Sequence, residues 1–142
     1  KIQLSAALKL LIPDSPFERF SIGKRLEEFA DTTYLHQVVG RTQEKGLISY
    51  PDLPQAIALL NNTKDLEWRV HFHVPLFLET YGLLGSTQKE IRETLSIQKT
   101  SPFTNHLEIE TYTWGVLPPA FQVPMAESIS REIKTIQELL GS

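Results

Sequence analysis

Apolar and polar positions alternate along two segments, Val70-His71-Phe72-His73-Val74 and His106-Leu107-Glu108-Ile109-Glu110-Thr111-Tyr112. A strand turns successive side chains to opposite faces, so His71 and His73 are expected to share one face with Val70, Phe72 and Val74 on the other. In the second segment His106, Glu108, Glu110 and Tyr112 line up, backed by Leu107, Ile109 and Thr111. Short apolar runs of this kind begin near residues 1, 34, 68 and 106, and each is followed by a polar stretch and then a helical period.

The pattern predicts four strand-then-helix units. The first is Ile2 to Leu8, a loop with Pro13 and Pro16, and a helix around Ile22 to Phe29. The second is Tyr34 to Val39, a loop from Gly40 to Tyr50, and a helix from about Leu53 to Leu60, with Asp52 as N-cap and Pro54 in the first turn. The third is Trp68 to Val74, a long loop to Ser86, and a helix around Gln88 to Ile97, where Thr87 and Glu90 have the spacing of a capping box. The fourth is Leu107 to Thr113, a Pro-bearing loop, and a helix from about Ala126 to Leu140 with an Ile129, Ile133, Ile136, Leu140 stripe and Gly141 to end it.

Alternating strands and helices imply a parallel sheet with right-handed crossovers. The expected fold is α/β: one domain over residues 1–142, made of four consecutive β/α units with the period of a (β/α)8 barrel. Half a barrel leaves bare strand edges and an uncovered apolar interior. It would be completed by an N-terminal half or by a second copy of the chain, and the first is favoured. An open four-stranded α/β sheet is the structural alternative. The opening Lys1-Ile2-Gln3-Leu4-Ser5 reads as a strand without an initiator Met, so the chain is expected to begin inside a longer protein.

Composition narrows the function classes. With 14 Lys and Arg against 17 Asp and Glu, the net charge is −3, and no basic face is available for nucleic acid. There is no cysteine, which excludes disulfides, thiol catalysis and Cys-type zinc sites. No stretch approaches the roughly 20 apolar residues of a membrane span, and no signal peptide is visible. The expected location is the cytoplasm.

A barrel of this kind carries its chemistry at strand ends. Gln3 and Ser5, His36, His71 and His73, and Glu108 and Glu110 all fall on expected strands. If their faces point inward, imidazoles, carboxylates and an amide converge, a donor set that suits Mg²⁺, Mn²⁺ or Zn²⁺. Two carboxylates in an apolar strand context need a cation or hydrogen-bond donors to offset their desolvation. Tyr112 and Trp114 could stack on a sugar ring, and Arg41 could reach a phosphate or carboxylate. Packing and a solvated loop are the ordinary roles of such residues. No glycine-rich phosphate loop, metalloprotease His-Glu motif or EF-hand is present.

Five blocks resemble the EboE family of metabolite-traffic proteins. They are residues 1–8, Tyr34-Leu35-His36-Gln37-Val38-Val39-Gly40-Arg41, Tyr50-Pro51-Asp52-Leu53-Pro54, Trp68 to Phe77, and His106 to Trp114. The resemblance implies a TIM barrel of the xylose-isomerase-like type, related to sugar isomerases and epimerases, of which this chain is the C-terminal half. It implies a divalent metal held by His73, the second His of His71-Phe72-His73, and by Glu110; the strand alternation adds Glu108, on the face of Glu110, as a further candidate ligand. It also implies a prenyltransferase-like membrane partner in moving metabolite precursors. In a catalytic version Glu110 is ligand or proton-transferring base, His36 or His71 orients hydroxyls, and Gln3, Arg41, Tyr112 and Trp114 contact a sugar or polyol. The competing expectation is a carrier that keeps the polar pocket and hands its metabolite to the membrane partner without converting it.

Overall fold

The computed structural model describes residues 1–141; Ser142, the last position of the expected domain, lies outside the described residues. The elements run β1 (Ile2–Leu4), β2 (Ala6–Leu11), α1 (Pro16–Glu27), β3 (Val38–Arg41), β4 (Leu47–Tyr50), α2 (Leu53–Leu59), β5 (Glu67–Val74), β6 (Thr80–Tyr81), β7 (Leu84–Ser86), α3 (Gln88–Thr100), β8 (Leu107–Ile109) and α4 (Met125–Leu140). A single 3-10 turn at Pro119–Phe121 precedes α4.

The four β/α units do not form, and the half-barrel expectation is corrected. Six strands make one sheet in the order β4-β3-β5-β2-β7-β6, with every pairing antiparallel. Only β1 and β8 pair in parallel, as a separate two-stranded sheet. The reason lies in two segments read as loops. Residues 42–46 close a hairpin between β3 and β4, with Lys45 at φ 60° and the Thr42 N–H donating to the Gly46 carbonyl at 2.9 Å. Residues 82–83 close a second hairpin, where Gly82 at φ 70° supplies a backbone region that other residues rarely enter. Hairpins join antiparallel neighbours, whereas a parallel pair needs a crossover of a dozen or more residues. The first strand also breaks at Ser5: Ile2–Leu4 pairs with β8, and Ala6–Leu11 passes into the large sheet.

The helix ends follow their sequence signals more closely than the sheet does. Ser15 caps α1 by accepting from the Glu18 N–H, with Pro16 in the first turn, so the helix begins six residues before the expected start at Ile22. Asp52 caps α2, and Gly141 at φ 77° ends α4. Thr87 precedes α3 without making the expected capping bond. Its hydroxyl instead accepts from the Ala7 N–H at 2.9 Å, and its own N–H donates to the Ala7 carbonyl at 2.9 Å, so it extends the pairing of β2 with β7.

One side of the large sheet is buried. Leu8 and Leu10 of β2, Val38 of β3, and Trp68, Val70 and Phe72 of β5 share a core with Leu26 of α1 and with Leu53 and Ala56 of α2. Each such side chain contributes on the order of 1.5–3 kcal/mol on burial. Phe29, just past α1, meets Phe72 edge-on at 5.3 Å and Tyr81 at 6.2 Å. Polar positions on the other side join into a ladder. Lys9 and Arg69 both reach Glu90 Oε1 at 2.8 Å, and Glu67 takes Arg69 at 3.0 Å and Arg41 at 3.3 Å. The ladder ties the start of α3 to β2, β5 and β3.

One carboxylate lies inside the core. Asp65 is buried, and its Oδ2 accepts from Trp68 Nε1 at 2.6 Å and from the Tyr50 hydroxyl at 2.7 Å. The carboxylate rests on the backbone of Gly40, where a Cβ would stand 2.2 Å from Oδ2. Gly40→Ala should therefore cost about 1–3 kcal/mol through overpacking, read as a lower urea midpoint. The cost should shrink in an Asp65→Ala background, because the clashing atom has then gone. Equal costs in the two backgrounds would place the strain elsewhere.

Candidate functional site

The C-terminal end of β5 carries an irregularity that builds the site. β2 pairs with β5 as Leu8 with Val70 and then as Ala7 with His73, so the register shifts by two residues opposite His71 and Phe72. A bulge of this kind re-aims side chains and leaves backbone groups to find other partners. On the β3 side the His71 N–H donates to the Gln37 carbonyl at 2.8 Å. The His71 carbonyl lies 3.3 Å from His36 Nδ1, and the His73 carbonyl accepts from the Thr113 hydroxyl in a short contact.

His71 and His73 do share a face, and their Nε2 atoms stand 2.9 Å apart. His73 Nδ1 lies 2.9 Å from the Glu110 carbonyl, which can only accept, so Nδ1 carries the proton. In the neutral ring Nε2 is then an acceptor, and His71 donates to it from its own Nε2–H. That leaves Nδ1 of the exposed His71 as an acceptor. Burial lowers the His73 pKa below its usual value, and the neighbouring His71 adds to the shift while the Glu110 carbonyl and charge oppose it. Burial therefore disfavours the charged form of His73.

Two aromatic rings border the pair. Tyr112 lies 4.7 Å from the His73 ring and 5.3 Å from Tyr34, and both tyrosines are exposed. Partial burial raises the Tyr112 pKa, and the carboxylate of Glu110 raises it further, so the hydroxyl remains a hydrogen-bond donor. Glu110 itself is half-buried.

His36 stands behind this surface, not in it. It precedes β3 and does not lie on a strand, and it is buried against Phe72 at 4.7 Å. Its Nε2 meets Asp31 Oδ2 at 2.6 Å while Nδ1 faces the His71 carbonyl. Both partners are acceptors, so both bonds are made together only when each ring nitrogen carries a proton. Burial pushes the Asp31 pKa up, but hydrogen bonds from His36, Thr33 and Tyr34 outweigh it and hold the carboxyl below its usual range. Asp52 completes the anchorage, its Oδ1 accepting from the His36 N–H and the Leu53 N–H, each at 2.9 Å.

Thus His71, His73, Glu110 and Tyr112 come together, with His36 beneath them. The other expected site residues go elsewhere. Glu108 pairs with Lys1 at 2.5 Å on the exposed face of β8, opposite Gln3 of β1. Arg41 is engaged by Glu67, and Trp114 is buried, with no face open to a sugar. The metal set His73, Glu108 and Glu110 therefore does not converge. Among the described residues no group of three or more His, Asp or Glu is placed to hold an ion. Two residues that were not expected in the site join it, and one of them, Tyr34, lies where the second strand was expected to begin, although that strand starts only at Val38. Asp31 and Tyr34 sit in the irregular segment after α1, and their proximity in sequence to His36 hinted at them.

No known protein family, curated protein or solved structure matches the chain. Among the described residues no helix is long and apolar enough to cross a membrane.

The depressed His73 pKa fixes a sign for the response to pH. An unfolded chain takes up a proton near pH 6.5 that folded His73 refuses, so stability is full above that pH and falls as the solution is acidified through it. The loss of urea midpoint between pH 7.5 and 5.5 should be smaller in His73→Gln than in the natural chain. An identical loss in both would show that other groups carry the acid response.

Proposed function

We propose that the protein binds a small polyhydroxylated metabolite, a sugar or polyol, at the His71, Glu110 and Tyr112 surface and carries it without converting it. The observation that supports this most strongly is the imidazole pair with Nε2 atoms 2.9 Å apart. Its hydrogen-bond direction leaves His71 Nδ1 as an acceptor, the half-buried Glu110 adds a carboxylate to the same surface, and Tyr112 offers a donor. A hydroxyl both donates and accepts, so adjacent hydroxyls on one molecule match this arrangement. The faces of Tyr112 and Tyr34 offer apolar area to the C–H side of a sugar ring.

A carrier role is also what the resemblance of the five blocks to the EboE metabolite-traffic family implies, although the barrel implied by the same resemblance does not form. We infer a carrier in the cytoplasm that delivers its ligand to a membrane partner of prenyltransferase type. A second reading, metal-assisted isomerisation, draws on the same imidazole pair, since two Nε2 atoms at this spacing could share an ion. Among the described residues no three His, Asp or Glu side chains are placed to hold an ion, so no catalytic step is assigned to it.

Calorimetric titration with a panel of aldoses, ketoses and polyols tests the carrier reading. One class should bind equally well before and after treatment with a chelator, and NMR should show the sugar unchanged after prolonged incubation. His71→Ala and Tyr112→Ala should each weaken binding by about ten-fold, the loss of one good hydrogen bond to the ligand. Conversion of the sugar, or about one bound Mn, Mg or Zn per chain that disappears in a His73→Ala/Glu110→Ala variant, would replace the carrier with the isomerase.

A further inference from the structure

A second cavity lies between the β1–β8 pair and α4, apart from the histidine surface. Its volume is about 490 Å³, within the range of small-ligand sites, and its walls include Leu4, Ile109, Ile129 and Ile133. Three polar side chains, Thr111, Glu132 and Gln137, interrupt this apolar lining, and of these Glu132 carries a charge.

Glu132 is only 1% exposed. Its Oε1 accepts from the Leu76 N–H at 2.9 Å and from the Thr111 hydroxyl at 2.8 Å. Both donors are neutral, and both bonds end on the same oxygen. Burial raises the Glu132 pKa, opposed only by those two hydrogen bonds, and no Lys, Arg or His among the described residues offsets its charge. A buried carboxylate without a cation is costly, and a ligand that supplies one recovers part of that cost. One turn earlier on α4 the Ser128 hydroxyl is also buried and without a hydrogen-bond partner. The helix therefore turns a polar row, Ser128 and Glu132, inward. Ile129 and Ile133, expected to be core, remain 43% and 46% exposed at the cavity wall.

We propose that this cavity binds a small amphiphile, its apolar tail along Ile129, Ile133 and Ile109 and a cationic amine head on Glu132. Charge selects the head group. An ammonium meets the carboxylate with opposite charge, an alcohol offers a neutral hydrogen bond, and a fatty carboxylate meets like charge. The apolar lining selects a hydrocarbon tail over a sugar, so this site and the histidine surface take different molecules.

The experiment compares n-octylamine, n-octanol and n-octanoate, each below its micellar concentration, by calorimetric titration near pH 7. Octylamine should bind at least ten-fold more tightly than octanol, with octanoate weakest. Glu132→Gln should remove the preference for the amine while leaving octanol binding in place. Ile133→Trp changes a half-exposed residue and should block all three ligands by filling the cavity, so it decides the question even where Glu132→Gln does not fold. Equal affinities for the three compounds, no octylamine binding, or undiminished binding in Ile133→Trp would overturn the proposal. Sugar titrations on the Ile133→Trp variant should be unchanged, which keeps this result separate from the fate of the carrier reading.

Discussion

The backbone of a buried strand must have a partner for every polar group, and β5 meets that demand in two ways. Up to Val70 it is paired on both edges, with β3 on one side and β2 on the other. Beyond that point the register with β2 slips, and the carbonyls of His71 and His73 take side-chain donors from His36 and Thr113. An unpaired buried backbone group costs about as much as a lost hydrogen bond. The residues that satisfy the bulge are thereby drawn to one place. His36 brings Asp31 and Tyr34 with it, and Thr113 brings Tyr112 and Glu110. The candidate site is, in this sense, a by-product of closing an irregular strand end.

That arrangement separates two kinds of histidine. His36 is enclosed, with one ring nitrogen facing Asp31 and the other the His71 carbonyl, so it has no atom left for a ligand. His71 is exposed and has an acceptor to spare. His73 mediates between them: its backbone carbonyl is tied to Thr113, its Nδ1 to Glu110, and its Nε2 to His71. A ligand at His71 would therefore meet a surface whose geometry is already fixed from behind. Preorganisation of this kind reduces the ordering cost of binding.

Local features were legible in the sequence where one residue type has one physical use. Asp52 before Pro54 announced a helix start, and Gly141 announced a helix end. The two-residue period of Val70 to Val74 foretold which histidines share a face. The sheet was not legible, because the same apolar run pairs in parallel or antiparallel and only the connection decides. The turns at Lys45 and Gly82 lie in segments that look like ordinary loops, and recognising them as hairpins requires the strands they join. Glu132 was hidden for a related reason. The isoleucine stripe of α4 suggested which side faces inward, but a carboxylate held by Leu76 and Thr111 rotates the buried side onto Ser128, Glu132 and Ile136. Such a rotation depends on distant partners that no window of helical residues contains. Glu108 and Glu110 illustrate the same limit, since the pattern shows their common face but not that Lys1 waits beside one of them.

Of the two outermost strands of the large sheet, β4 is the longer; it pairs on one edge only, and its Leu47 and Ile48 are exposed. A strand in that position presents backbone donors and acceptors at the spacing another strand needs. In dilute solution water occupies them. As copies of the chain crowd together, the edge becomes a template on which a second β4 could be laid down, extending the sheet across molecules. Such an extension would begin on the far side of β3 from the histidines and leave their surface open.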